Sequence, residues 1–216
     1  DFALPEHLHG EEASFPLLRG IPLIKTNGFI DLERRLDLER DLYLLDHCLD
    51  GKPVLPAAMA VELMAEAAQK GWPEWTLTAL HDIRVLKGIV VEEKTRDLQI
   101  SARPKGEISS GSERIEIEMT ITDPRRPQQQ LYRSSAILSR RTSPPRLSVP
   151  SLGTLESFWT SPQGAYENWL FHGPRFQCIR HIEGISSEGM IATLVPSLPG
   201  KNLAQDPPGH WLIDPV

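Results

Sequence analysis

Residues 57–70, AAMAVELMAEAAQK, constrain the fold of this 216-residue chain more than any other stretch. Ala, Leu, Met and Glu are good helix formers, and Gly71 followed by Pro73 stops the helix. Its polar residues are Glu62, Glu66, Gln69 and Lys70, which make one narrow stripe; everything else is apolar. A helix apolar around most of its circumference is wrapped by other elements rather than laid on a surface.

The wrapping elements show on both sides of it. Ile21–Lys25 and Phe29–Leu38 read as extended stretches separated by Asn27-Gly28, a strong hairpin signal. Downstream, Ile115, Ile117, Met119 and Ile121 alternate with Arg114, Glu116, Glu118 and Thr120. Leu98, Ile100 and Ala102 likewise alternate with Gln99, Ser101 and Arg103. A period of two marks strands with one buried face. Residues 83–91 and 130–139 are further extended candidates. Two strands, one apolar helix, then about four antiparallel strands fit a curved antiparallel sheet around a single helix, an α+β arrangement.

A boundary is expected at residues 142–157, TSPPRLSVPSLGTLES, because its prolines fix φ and remove donors. That divides the chain into 1–141, a linker at 142–157, and 158–216. The second part begins like the first. Ser161–Leu170 reads as a short helix, Phe176–Ile185 and Met190–Val195 as strands around a Ser186–Gly189 turn, and residues 198–209 as a loop. If the second part copies the first, the sequence stops where a second central helix is due. The expectation is that the polypeptide continues or that a companion fragment fills the gap. Trp159, Trp169 and Trp211 are expected as core or interface aromatics rather than a ligand platform.

Composition narrows the function. With 23 basic and 29 acidic residues the formal charge is −6, which argues against a nucleic-acid partner. Cys48 and Cys178 are too few for a disulfide framework or a four-ligand zinc site. No run approaches the roughly 18 apolar residues of a membrane span. The expected compartment is the reducing cytoplasm.

The sharpest chemical feature is His47-Cys48-Leu49-Asp50-Gly51-Lys52-Pro53-Val54-Leu55-Pro56. A histidine ends an apolar stretch, Gly51 permits a tight backbone approach, and Pro56 precedes a helix whose first amides lack intrahelical partners. An imidazole beside a helix N-terminus suits chemistry at a carbonyl: the ring serves as base, and the amides stabilise enolate charge. The same pattern also fits a packed or surface histidine that merely precedes a helix.

His47, Gly51 and Pro56 match the HxxxGxxxxP motif of polyketide synthase dehydratase domains, which the surrounding LLDHCLDGKPVLPAAMAVELMAEAA resembles throughout. Residues 171–177, FHGPRFQ, resemble the family's YGPxFQ motif through Gly173, Pro174, Phe176 and Gln177, with His172 in the place of tyrosine. Phe15-Pro16-Leu17-Leu18 is similar to its opening HPLL, and Trp211-Leu212-Ile213-Asp214-Pro215-Val216 to the lead-in to its third motif. The wording around His47 is similar to iterative, polyunsaturated-fatty-acid-synthase-like systems.

The resemblance implies a double hotdog, two antiparallel sheets each wrapped around a helix, with the second incomplete in this sequence. It implies loss of water from a β-hydroxyacyl thioester on an acyl carrier protein, in polyketide or fatty-acid-like biosynthesis. His47 would be the base. Gly51 and the amides after Pro56 would bind the thioester oxygen, and Gly173 and Pro174 would shape the opposite wall. The acid would be an aspartate a few residues beyond Val216; Asp214 is the substitute candidate, and a turn or helix-cap role is its competing reading. No metal, nucleotide or flavin is implied. The implied partners are the carrier protein, whose phosphopantetheine arm bears the substrate, and other domains of a synthase; a homodimer is compatible. A non-catalytic acyl-binding or product-shaping module of the same fold is the alternative.

Overall fold

The computed structural model describes residues 15–141, 151–205, 207 and 209–215. The apolar segment forms helix α1 (Ala57–Gly71), and one antiparallel sheet wraps it. The sheet comprises β1 (Ile24–Thr26), β2 (Phe29–Asp37), β5 (Thr76–Val85), β6 (Thr95–Pro104), β7 (Arg114–Asp123) and β8 (Arg126–Ser139), in the order β1-β2-β6-β7-β8-β5. The Asn27-Gly28 signal closes the β1–β2 hairpin, with both residues at positive φ and Thr26 opposite Phe29. The alternating apolar residues of β6 and β7 all turn inward: Leu98, Ile100, Ala102, Ile115, Ile117, Met119 and Ile121 join Met59, Leu63 and Met64 of α1 in one core. Small side chains at Ala60, Ala67 and Ala68 let the helix lie close to the sheet.

The polar stripe of α1 is not a solvated face. Glu62 and Glu66 are fully buried, and every member of the stripe bonds backbone that comes from elsewhere in the chain. Glu66 accepts the amides of Leu17 and Leu18 at 3.1 and 2.9 Å. Lys70 donates to the carbonyls of Leu18 and Ile21 at 3.2 and 2.7 Å. Gln69 donates to Trp75 O and accepts Leu77 N at 2.6 and 2.8 Å. Glu62 accepts Leu212 N and Ile213 N at 2.8 and 2.7 Å. The two bonds to Glu66 satisfy amides that would otherwise be buried unpaired, and the others tie part-buried backbone to the helix. The cost falls on the carboxyls. Burial pushes Glu62 up to about 7 and Glu66 well above the ordinary carboxylate range.

Residues 83–91 are not one strand. Ile83–Val85 end β5, after which Leu86 and Lys87 both donate to Leu131 O at 2.9 and 3.1 Å. Ile89–Val91 then run beside the entrance to α1: Leu55 N donates to Ile89 O and Val91 N to Pro53 O, each at 2.9 Å. The apolar residues there pack against the chain that leads into the helix, not in the sheet.

The second part holds α2 (Pro162–Asn168), whose N-cap Ser161 accepts Gly164 N at 3.1 Å, and a hairpin of β9 (Ile179–Ser186) with β10 (Gly189–Leu194). The segment read as a loop contains one turn of helix, α3 (Pro199–Asn202). Of the linker, residues 142–150 lie outside the described residues, and Glu156 pairs with Ile185 beside β9. Trp211 packs on the core as expected, whereas Trp159 and Trp169 are exposed and meet each other edge-on at 5.8 Å. No counterpart of α1 appears among the described residues of this part, so the second hotdog is incomplete.

Candidate active site

The site is built on a short 3₁₀-helix, Leu42–Asp46, that ends at His47. A minimal hairpin follows: β3 (Cys48–Leu49) and β4 (Lys52–Pro53), with Asp50 and Gly51 in the turn at φ 50° and 73°. A side chain at Gly51 would meet nothing within 4 Å, so the glycine serves the positive φ of the turn rather than a tight approach. The hairpin brings Val54 back onto His47. Val54 N donates to His47 O at 3.0 Å, and the ring nitrogen Nδ1 lies 2.8 Å from Val54 O. A carbonyl oxygen only accepts, so Nδ1 carries the proton and Nε2 is the basic nitrogen. The spacing of histidine, glycine and proline thus has a geometric meaning: the imidazole, the turn, then the residue that opens α1. Pro56 is the buried N-cap of α1, with no side-chain cap, and Ala57 and Ala58 of the first turn are exposed.

The second part supplies an aromatic wall around the imidazole. Ring centroids of Phe171, His172 and Phe176 lie 5.1, 5.8 and 6.0 Å from that of His47, and Phe171 stacks on His172 at 4.3 Å. Partial burial, and then the neighbouring His47, hold the His172 pKa below the ordinary histidine value. Gly173 comes against the segment that carries His47, and Pro174 follows it. Gly173 N donates to Asp46 O at 2.8 Å, and a Cβ at Gly173 would fall 2.4 Å from Asp46 Oδ1, so only glycine fits. Pro174 opens a 3₁₀-turn, Pro174–Phe176.

Asp214 accepts Ser197 N at 3.0 Å, a bond across 17 residues rather than a local turn or helix cap, and its charge helps raise Glu62. Sequence reasoning missed Asp46 and Arg175, which join the two walls, and the Val54 carbonyl, which sets the tautomer of His47. Only adjacency to the two motifs could have flagged Asp46 and Arg175. Glu62 and Glu66 carried a signal: two carboxylates one turn apart on an otherwise apolar helix. Among the described residues no group of three or more His, Cys, Asp or Glu is placed to hold a metal ion, and no helix is long and apolar enough to cross a membrane.

Residues 17–120 match the polyketide synthase dehydratase domain. That match is a likeness over just under half of the chain. It is also 26% identical over 178 residues to one of the subunits of the polyunsaturated fatty acid synthase of Thraustochytrium sp., covering 82% of this chain and 6% of that protein. Among solved structures it is similar to the dehydratase domain from the CurH module of the curacin polyketide synthase (TM-score 0.59, 20% identity, covering 90% of this chain and 67% of that one). A dehydratase studied for the borrelidin and fluvirucin polyketide synthases aligns with TM-score 0.56 and 17% identity, over 82% of this chain and 61% of that one. The last two likenesses confirm the dehydratase hotdog architecture. The chain therefore spans a small fraction of its synthase relative and roughly two thirds of the dehydratase domains it matches.

Proposed function

We propose that this domain removes water from a β-hydroxyacyl thioester carried on an acyl carrier protein, giving an α,β-unsaturated thioester. The observation that supports it most is the His47 Nδ1···Val54 O contact of 2.8 Å, which fixes the tautomer and leaves Nε2 as the proton acceptor. His47 Nε2 takes the α-proton, and the electron pair of that C–H bond moves into the enolate. Gly51 and the amides after Pro56, at the positive end of α1, bind the thioester oxygen while charge develops on it. The carbon–carbon double bond forms as the β-hydroxyl leaves, and a carboxylic acid protonates it so that water rather than hydroxide departs. On this reading the acid is an aspartate expected a few residues beyond Val216, and Asp214, engaged at Ser197, is the weaker candidate. Gly173, Pro174 and the Phe171, His172 and Phe176 rings form the wall along which the acyl chain lies. The chemistry requires no metal, nucleotide or flavin.

The test is water loss from carrier-bound β-hydroxyacyl thioesters, followed by mass spectrometry, for the full polypeptide that carries this domain and its acid and for its His47→Ala variant. Loss of one water that His47→Ala abolishes is the expected result. Binding of the acyl thioester without water loss, over several chain lengths, would overturn it in favour of an acyl-binding or product-shaping module.

A further inference from the structure

The proposed base and the wall it faces come from distant parts of the chain, so something must hold them in one register. His47 is tied on its own side by Val54. On the other side the chain touches itself through two 3₁₀ turns, Leu42–Asp46 and Pro174–Phe176, and the tie there is made by one carboxylate, 129 residues from its partner. Asp46 Oδ2 accepts both Arg175 N at 3.0 Å and Arg175 Nη1 at 2.9 Å. The Asp46 backbone carbonyl accepts Gly173 N at 2.8 Å, and Arg175 Nε donates onward to Lys201 O of α3 at 2.8 Å. The Asp46 side chain is 13% exposed and that of Arg175 31%, so the pair is largely withdrawn from solvent.

We propose that Asp46 and Arg175 are positioning residues for His47: a latch that holds the base in fixed register with the Phe171–Phe176 wall. The proposal rests on the dehydratase reading above. Asp46 precedes His47, and Arg175 lies inside the wall, so each displacement of the ion pair moves one relative to the other. The planar guanidinium uses two nitrogens in two directions, toward Asp46 and toward Lys201 O, which an ammonium cannot reproduce. A base misplaced by about 1 Å costs on the order of a hundredfold in rate, while ground-state binding along the wall is little affected.

The experiment compares Arg175→Met, Arg175→Lys, Asp46→Asn and the double variant Asp46→Asn/Arg175→Met in the water-loss assay, alongside the His47 imidazole NMR signal. The wall rings, at 5.1–6.0 Å, make that signal sensitive to register through their ring currents. The latch predicts a kcat lowered about 10–100-fold with KM within about twofold, a double variant no worse than the poorer single one, and partial recovery in Arg175→Lys. It also predicts a shifted His47 signal in Arg175→Met. A kcat within about twofold of the parent, or single effects that multiply in the double variant, would overturn it. If Asp46→Asn fails to fold, the Arg175 variants decide, since that side chain is the more exposed partner. If the full-length parent protein, which carries the acid, removes no water, the dehydratase reading fails. The His47 signal then judges the latch alone, a shift upholding it and an unchanged signal overturning it.

Discussion

Replacing Glu62 by Gln tests whether the polar stripe of α1 is buried as the structure has it. Glu62 is fully buried, accepts the amides of Leu212 and Ile213, and is pushed from 4.5 to about 7, by burial first and with a contribution from the Asp214 charge. A folded value above the unfolded one means that protonated Glu62 favours the folded state. That stabilisation is complete below about pH 4.5 and is lost as pH rises through about 7. Each pKa unit is worth about 1.4 kcal/mol, so the full span is about 3 kcal/mol, and about 2.5 kcal/mol of it falls between about pH 5 and about pH 8. Gln has no proton to lose and keeps one acceptor for the two amides, which costs about 1–3 kcal/mol at acid pH. Urea unfolding of both proteins at about pH 5, 6, 7 and 8 reads the difference directly. Glu62→Gln should be the less stable protein near pH 5, and the gap should close or reverse by about 2.5 kcal/mol near pH 8. A gap constant to within about 0.5 kcal/mol across that range would refute the reasoning, because Glu62 would then titrate as it does in the unfolded chain.

Other perturbations separate the supports of the site. Arg34 and Asp41 form a buried ion pair, with Asp41 also accepting Asp37 N at 2.8 Å, just ahead of the Leu42–Asp46 turn. Arg34→Met strands the Asp41 carboxylate and should cost about 3–5 kcal/mol in chemical denaturation, with Arg34→Met/Asp41→Asn recovering part of it. Gly51→Ala should cost about 1–2 kcal/mol through its positive φ alone, and Gly51→Asn much less, because asparagine tolerates that region; thermal melting of the two variants checks the order. His47→Ala should abolish water loss, and Asp46→Asn and Arg175→Met should lower kcat without raising KM, as mass spectrometry of the acyl thioester would read.

Much of the first hotdog could be read in one dimension. The period-two strands at Leu98–Arg103 and Arg114–Ile121, the Asn27-Gly28 turn and the apolar helix are local patterns, and local sterics and side-chain polarity decide them. Residues 83–91 divide between the end of β5 and an extended stretch beside the helix entrance, because a run of apolar, extended residues has the same pattern in either place. The candidate site was legible where geometry follows spacing: His47, Gly51 and Pro56 mark imidazole, turn and helix start within ten residues. Asp46 and Arg175 were not, since an aspartate and an arginine 129 residues apart carry no local signal of their pairing.

The sequence by itself therefore determined the central helix, most of the strands around it, and His47 with the turn behind it, because each follows from the order of neighbouring residues. Tertiary structure alone decided that the stripe of α1 is buried and binds four backbone amides through Glu62 and Glu66. It alone decided that Val54 sets the tautomer of His47 and that Phe171, His172 and Phe176 close around the ring. The physical reason is the same in each case. A titratable group's state and aim depend on what removes its water and who supplies its hydrogen bonds, and those neighbours are chosen by packing between segments remote in the chain.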